Sequence, residues 1–325
     1  MLILQDPLRQ TDLPRGCVAT IGNFDGMHIG HQAIVRGVIR RAEELKQPSA
    51  VITFHPHPIS VVAPDRAPKQ ILTLAQKEEI LRNMGVEALL VVPFTHEFSH
   101  WTADRFIDEF LVSALRVSEI RIGRDFAFGA GRQGNLGKLQ SAGARHGFRV
   151  EGVDDVTIRG IRVSSSLVRD AILKGAMRAV TLALGRTHFI DGRVATGRRL
   201  GRKLGVPTVN VDPFNELYPG RGVYVSTSRF ESFNRSFESV TNIGVRPTLY
   251  ENYGITIESH ILDFDSDVYD DTVRVYFHQL LRRERQFRSA LELTGQIALD
   301  VERSRRYFAR HPIRFNEIGV QADSG

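Results

Sequence analysis

"VATIGNFDGMHIGHQ", residues 18–32, decides how the first half of this chain folds. An apolar, β-branched run enters a turn flanked by Gly22 and Gly26 and leaves it into the helically periodic stretch 31–45. Strand, tight turn and helix in that order make the opening unit of an α/β fold. In an open parallel sheet, ligands bind where such a strand ends. Gly22, Gly26 and Gly30 let the backbone turn sharply and come close to a ligand. The helix start beyond them offers unpaired N–H groups to an anion. His28 and His31, three residues apart, fall on one side of the turn and can donate to phosphate oxygens. Transfer to an α-phosphate needs donors of this kind where charge grows on the phosphorus oxygens and the leaving pyrophosphate. Read without its flanks, the same pair is a turn with two surface histidines.

Working outward, "AVITF", "ALLVVPF", "EIRIG" and "FRVEGV" repeat the strand signal. Helix candidates at 73–84 and 102–115 open at Thr73 and Thr102 as N-caps, with a further candidate after Asn135. This alternation predicts a Rossmann-like parallel sheet covered by helices on both faces. After about Leu184 the pattern changes. "THFIDGRV", "PTVNV", "GVYVSTSRF", "ESVTNIG", "ITIESHIL" and "TVRVYFHQLL" are strand-like runs separated by Gly, Pro, Asn or Asp turns. They predict a mainly antiparallel barrel. A closing helix is expected over Ser289–Arg310, with Leu293, Ile297 and Val301 as its buried stripe. The boundary falls in "LALGR", residues 182–186, giving domains 1–184 and 185–325.

Composition bounds the partners. The 325 residues are enough for two cores. A single cysteine, Cys17, leaves no disulfide framework and suits a reducing cytoplasm. No stretch approaches the roughly 20 apolar residues of a membrane helix, and "MLILQDPLRQ" lacks a secretory pattern. The expected location is therefore cytoplasmic, with no membrane partner. Net charge is +6, which suits anionic ligands in general. The 43 Lys and Arg are dispersed rather than gathered into a run, which argues against nucleic acid as the partner. Small-molecule substrates are expected; the oligomeric state is not written in the sequence.

Two further elements bear on the first site. His55 and His57 in "TFHPHP" end the second predicted strand, and zinc is one reading of them. No acidic or cysteine ligand stands at typical spacing, and Pro56 and Pro58 read as loop formers. The segment "RVSSSLVRDAI", residues 162–172, places Ser164, Ser165 and Ser166 before a helical run. Their hydroxyls and amides can cap the helix and grip phosphate, with Arg162 and Arg169 supplying charge. The string HIGH also marks class I aminoacyl-tRNA synthetases. Those enzymes pair it with a lysine-rich loop of the KMSKS kind, and "VSSSLVR" stands here instead.

Together, "GNFDGMHIGH", "FHPHP", "GRDFAFG" (123–129) and "SSSLVR" resemble the adenylyltransferase half of the prokaryotic bifunctional riboflavin kinase/FMN adenylyltransferases, often called FAD synthetases. The resemblance implies a nucleotidyltransferase-type sheet in which His28 and His31 engage ATP phosphates. Gly22, Asn23, Gly30, Ser164, Ser165 and Arg169 would help hold ATP. Asp125, Phe126 and Phe128 would shape the flavin side. Flat apolar rings suit an isoalloxazine, although "DFAFG" read by itself is more often simple core packing.

The second half carries its own chemistry. In "GRKLGVPTVN", residues 201–210, Gly201 and Gly205 let the chain wrap a phosphate tail, with Arg202 and Lys203 adding charge. Thr208 and Asn210 sit two apart on a strand and face one side. They are either a polar strand face or oxygen ligands for Mg²⁺. Glu258 is either a solvated strand residue or a base that takes the proton of an alcohol attacking a γ-phosphate. "GRKLGVPTVN", "YPGRGVYV", "NIGVRPT", "IESHILDFD" and "LRRERQF" occur in the order found in riboflavin kinase domains. That likeness implies Thr208 and Asn210 at Mg-ATP and Glu258 as the catalytic base, with riboflavin, FMN and ATP as substrates. Asp270 stands where the family usually has glycine, which bears on a turn, and His55 replaces an often acidic residue. A flavin- or nucleotide-sensing protein that kept the pockets is the alternative class; binding by itself needs no base.

Overall fold

A computed structural model of the chain describes residues 1–10, 14–195, 207–233, 235–245 and 254–312. They form two compact units. The first is built on a six-stranded sheet: β1 (Leu2–Gln5), β2 (Val18–Ile21), β3 (Ser49–His55), β4 (Ala88–Pro93), β5 (Glu119–Gly123) and β6 (Arg149–Val153). All are parallel, in the order β1-β4-β3-β2-β5-β6. Every residue of β2 is buried, as are the first five of β3 and of β4. Parallel strands covered on both faces need such continuous apolar runs.

Strand β1 is absent from the sequence reading. It is a four-residue edge with exposed ends, too short to set up a period. Strand β2 also stops earlier than "VATIGNF" suggests. Gly22 N–H still donates to the Ile52 carbonyl at 3.0 Å, but Phe24 turns left-handed at φ 49 and ends the extended run. The helix α1 (Ile29–Leu45) follows. Next come α2 (Pro58–Val62) and α3 (Leu74–Asn83). The helix opened by Thr102 widens to π-type bonding over Phe106–Ala114. Helix Leu136–His146 begins at an Asn135 cap, and β7 (Thr157–Ile158) with β8 (Ile161–Arg162) makes a small hairpin. Order reverses between β2 and β5, so the turn after β2 lies at the topological switch point.

The second unit is a closed antiparallel barrel. Its strands are β9 (His188–Ala195), β10 (Val209–Pro213), β11 (Gly222–Phe230), β12 (Arg235–Val245), β13 (Ile255–Ile261) and β14 (Thr272–Arg282). They close in the order β10-β13-β12-β11-β14-β9. Helices Ser165–Lys174 and Met177–Leu184 group with this barrel from Ser166 onward, together with Ile71–Thr73, whereas the sequence pattern placed them with the first domain. The Gly220 N–H donates to the Ile172 carbonyl at 3.2 Å, and Arg283 donates to the Lys174 carbonyl at 3.0 Å.

The barrel interior contains a ring of buried hydroxyls. Ser226 meets Ser239 at 2.8 Å, Ser239 meets Ser228 at 3.0 Å and Ser228 meets Ser259 at 3.1 Å. Ser259 meets Thr241 at 2.9 Å, and Thr241 returns to Ser226 at 2.7 Å. Each hydroxyl can donate once and accept once around the ring, so none is left unsatisfied. A one-residue slip of β12 against β13 would break it and turn every side chain over.

The terminal helix spans Ala290–Arg310 and is capped by Ser289, whose Oγ accepts from Glu292 N–H at 3.2 Å. The expected stripe of Leu293, Ile297 and Val301 is only half-buried. Asp300, Ser304 and Phe308 are the buried residues instead. Asp300 accepts from Arg282 of β14 at 2.9 Å, so a buried charge pair takes the centre of the contact. Asp270 adopts φ 62, a left-handed position that explains why glycine suits it.

Candidate active sites

In the first unit, the turn after β2 delivers His28 to the N-cap of α1. Its Nδ1 accepts from the His31 N–H at 3.3 Å, which puts the proton of the neutral ring on Nε2 as a donor. Gly30 makes room for this: a Cβ there would lie 3.1 Å from the His28 ring. The two imidazoles stack at 3.7 Å between centroids, tilted by 20°, and Phe24 meets His31 edge-on at 5.2 Å. Burial, then the neighbouring His28 and Lys77, hold His31 well below the ordinary histidine range. It is therefore neutral at pH 7. Its Nδ1 is buried with no hydrogen-bond partner among the described residues.

The strand end and the serine segment close in on the same turn. Ser165 Oγ donates to the Asp25 carbonyl at 2.8 Å, and Ser164 precedes it, half-buried. The Asn23 amide lies 3.3 Å from His57 Nε2, and His57 Nδ1 caps α2 by accepting from Ile59 N–H at 3.2 Å. Gly22, Asn23, Gly30, His28, His31, Ser164 and Ser165 thus belong to one unit. Arg169 lies four residues beyond Ser165, in the part of that helix that groups with the barrel. After β5, Phe126 and Phe128 stack at 5.7 Å and 15°. Phe128 is buried against Phe106, with Phe126 half-buried outside it. Asp125 is exposed and paired with Arg162 of β8, which also holds Asp155 at 2.9 Å.

Lys77 escaped the sequence reading. It is buried on α3, donating to the Asn23 carbonyl at 2.6 Å and to Thr53 Oγ1 at 3.3 Å. Its spacing from Ile80 and Leu81 places it on the apolar stripe of α3, which is the signal that could have found it.

In the barrel, Asn210 of β10 stands opposite Glu258 of β13, and Glu258 stands opposite Asn242 of β12. Ile257 and Ser259 point into the core at 2% and 0% exposure, so Glu258 and both asparagines face outward in one row. Thr208, two residues before Asn210, lies just ahead of β10 and is half-buried. Glu284 joins the row's far end, because a Cβ on Gly244 would lie 2.6 Å from its Oε1 and 3.3 Å from Asn242 Nδ2. Hydroxyl, amide and carboxylate oxygens make a donor set that fits a hard cation such as Mg²⁺. Asn242 and Glu284 were not singled out from the sequence. Gly201, Lys203 and Gly205 lie outside the described residues.

A family model for FAD synthetase matches residues 10–167, and one for riboflavin kinase matches residues 184–308. The chain belongs to the bifunctional riboflavin kinase/FMN adenylyltransferase family. The protein of that name from Pseudomonas fluorescens is 41% identical over 291 residues, covering 90% of this chain and 93% of its own. The Escherichia coli K12 protein is 38% identical at the same coverage, and the Bacillus subtilis protein 34% identical over 90% and 92%. A crystal structure from Streptococcus pneumoniae, described as a macrolide-efflux protein, superposes with a TM-score of 0.85 at 27% identity. It covers 94% of this chain and 99% of that one. The fold is thus shared over 94% of this chain.

Proposed function

We propose that this chain phosphorylates riboflavin to FMN in residues 185–325 and adenylates FMN to FAD in residues 1–184, with ATP as donor in both steps. The observation that carries this reading is that two family models tile one chain in order, FAD synthetase over 10–167 and riboflavin kinase over 184–308.

In the kinase step the ribityl 5′-hydroxyl oxygen bonds to the γ-phosphorus as the β–γ bridge breaks, and ADP leaves. Glu258 takes the hydroxyl proton. Thr208 and Asn210 would hold Mg²⁺ with ATP, an ion that neutralises charge developing on the phosphates. Gly201, Lys203 and Gly205 are assigned to the phosphate tail on sequence grounds.

In the second step an FMN phosphate oxygen bonds to the α-phosphorus of ATP while the α–β bridge breaks and pyrophosphate leaves. The nucleophile is already an anion, so no base is required and positioning carries the work. His28 donates through Nε2, and neutral His31, stacked beside it, keeps one ring N–H to donate to a phosphate oxygen. Asn23, Ser164 and Ser165 hold ATP on the glycine turn of Gly22 and Gly30, and Arg169 is assigned to ATP on sequence grounds. Asp125, Phe126 and Phe128 receive the flavin. No helix of the described residues is long and apolar enough to cross a membrane, and a reducing cytoplasm suits the unpaired, buried Cys17.

The test is incubation with riboflavin and Mg-ATP followed by chromatography. FMN should appear first and FAD after it. If riboflavin is bound but neither product forms, a flavin-sensing role replaces the enzymatic one.

A further inference from the structure

The reactions above leave Lys77 without a role. Only 7% of it is exposed, and burying an ammonium is costly unless it is paired. Burial lowers it to about 8, with the Asp25 carboxylate opposing that shift. A methionine of similar length would fill the same space without the desolvation cost, so packing does not account for a lysine here. Its hydrogen bonds do. The Asn23 carbonyl accepts from Lys77 Nζ at 2.6 Å and from Thr53 Oγ1 at 3.4 Å. Lys77 also reaches Thr53 directly at 3.3 Å. That carbonyl belongs to the peptide entering Phe24, which is buried and left-handed at φ 49. Three elements therefore meet at one ammonium: the turn after β2, the strand β3 and the helix α3.

We propose that Lys77 is a positioning residue for adenylyl transfer: it clamps the Asn23–Phe24 peptide against Thr53 and so sets the turn that delivers His28 and His31 to the ATP phosphates. This rests on the histidine turn being the adenylyl-transfer site. Lys77 touches no substrate and acts through the backbone. A turn displaced by an ångström costs as much as 10²-fold in rate, and no other described side chain bonds this carbonyl besides Thr53.

The full-length chain is assayed with FMN and Mg-ATP for FAD, and with riboflavin and Mg-ATP for FMN. Lys77→Met should lower kcat for FAD formation about 10- to 100-fold, keep FMN formation, and melt no lower than the parent. Thr53→Val should move FAD formation the same way by less. The groups facing Lys77 are Asp25 from the turn and His31 from α1, and His31 is already neutral. The parent's FAD formation should therefore fall as pH rises through about 8, while the residual rate of Lys77→Met stays flat. A Lys77→Met chain that makes FAD at the parental rate overturns the proposal, as does a flat pH profile in the parent. Parallel loss of both activities and of the melting transition also overturns it. His28→Asn is the control. If it forms FAD normally, the histidine-turn reading fails and takes this proposal with it. If His28→Asn is impaired while Lys77→Met is not, only the lysine's role falls.

Discussion

Asn210 and Glu258 face each other directly across the antiparallel pair of β10 and β13. Pairing of that kind holds two side chains about 5 Å apart at Cβ on one face. The group proposed to place Mg-ATP and the group proposed to take the proton are then neighbours without any loop having to close. Glu258→Gln keeps the shape and the hydrogen-bonding reach but removes the basic oxygen. FMN formation from riboflavin should fall about 10²–10⁴-fold, while FMN supplied directly still becomes FAD. Normal phosphorylation by this variant in a riboflavin assay would remove Glu258 as the base.

His28 combines two tasks that substitution can separate. Its Nδ1 caps α1, and its Nε2 is the donor proposed for phosphate. Asparagine is a good N-cap but is too short to reproduce the imidazole donor. His28→Asn should hold the melting temperature within a degree or two of the parent and lower FAD formation about 10²–10³-fold. His28→Ala should lose the rate and, in addition, about 1 kcal/mol of stability. Equal rates in parent and asparagine variant, measured on FMN and ATP, would leave His28 as a cap alone.

The histidine turn was legible because a β-branched run, three glycines and a helical period follow one another within fifteen residues, and only a strand–turn–helix satisfies all three. The barrel's six strands were legible for the matching reason. Its core was not. Ser226, Ser228, Ser239, Thr241 and Ser259 carry no core signal, since nothing in a single strand tells that hydroxyls from three strands satisfy one another. Lys77 and Asp300 were missed alike, because charge on a helix reads as exposed until the partner is known: the Asn23 carbonyl for one, Arg282 for the other.

Asp270 at φ 62 shows what the family's glycine is for. A left-handed residue with a Cβ is strained by about 1–2 kcal/mol, less for Asp than for most. Asp270→Gly should raise barrel stability by up to about 1 kcal/mol. Thermal unfolding of the full chain, followed through the riboflavin-phosphorylating activity that survives heating, would register a rise; a lower midpoint would mean that the Asp270 side chain makes a stabilising contact.

His188 is buried at 2% exposure, its Nε2 without a partner among the described residues, and burial, reinforced by Arg186, pushes it down to about 3. Half-buried His278 is lowered to about 4 by the same cause. Below the ordinary value of 6.5 the unfolded chain takes up a proton that the folded chain refuses, so the unfolded state gains and stability falls with falling pH. His188 contributes up to about 1.4 kcal/mol per unit, or about 2 kcal/mol at pH 5. His278 adds less. Urea unfolding at pH 7.5 and at pH 5 should differ accordingly, and His188→Phe should flatten the slope. An unchanged slope in that variant would assign the acid sensitivity elsewhere.

The barrel unit begins at Ser166 rather than at the loop near Leu184, and this decides how the kinase half can be separated. Val168, Ile172, Val180 and Leu184 are buried, and Gly175 lies so close under Tyr224 that a Cβ would sit 2.8 Å from its hydroxyl. A fragment of residues 166–325 keeps these contacts, together with the bonds from Gly220 to Ile172 and from Arg283 to Lys174. At about 160 residues it falls within the usual range of an independent domain. It should be soluble and convert riboflavin to FMN, never to FAD, and chelation of Mg²⁺ should silence it. The shorter fragment 185–325 lacks Val168, Ile172, Val180 and Leu184, all buried apolar side chains. Each is worth about 1.5–3 kcal/mol when fully buried, so this fragment should aggregate or melt well below the longer one. Equal melting of the two would show that the helices only decorate the barrel. If the longer fragment folds but cannot phosphorylate riboflavin, adding residues 1–165 separates the remaining explanations. Restored FMN formation would mean that the kinase step borrows a group from the first unit, and continued silence would count against the kinase assignment itself.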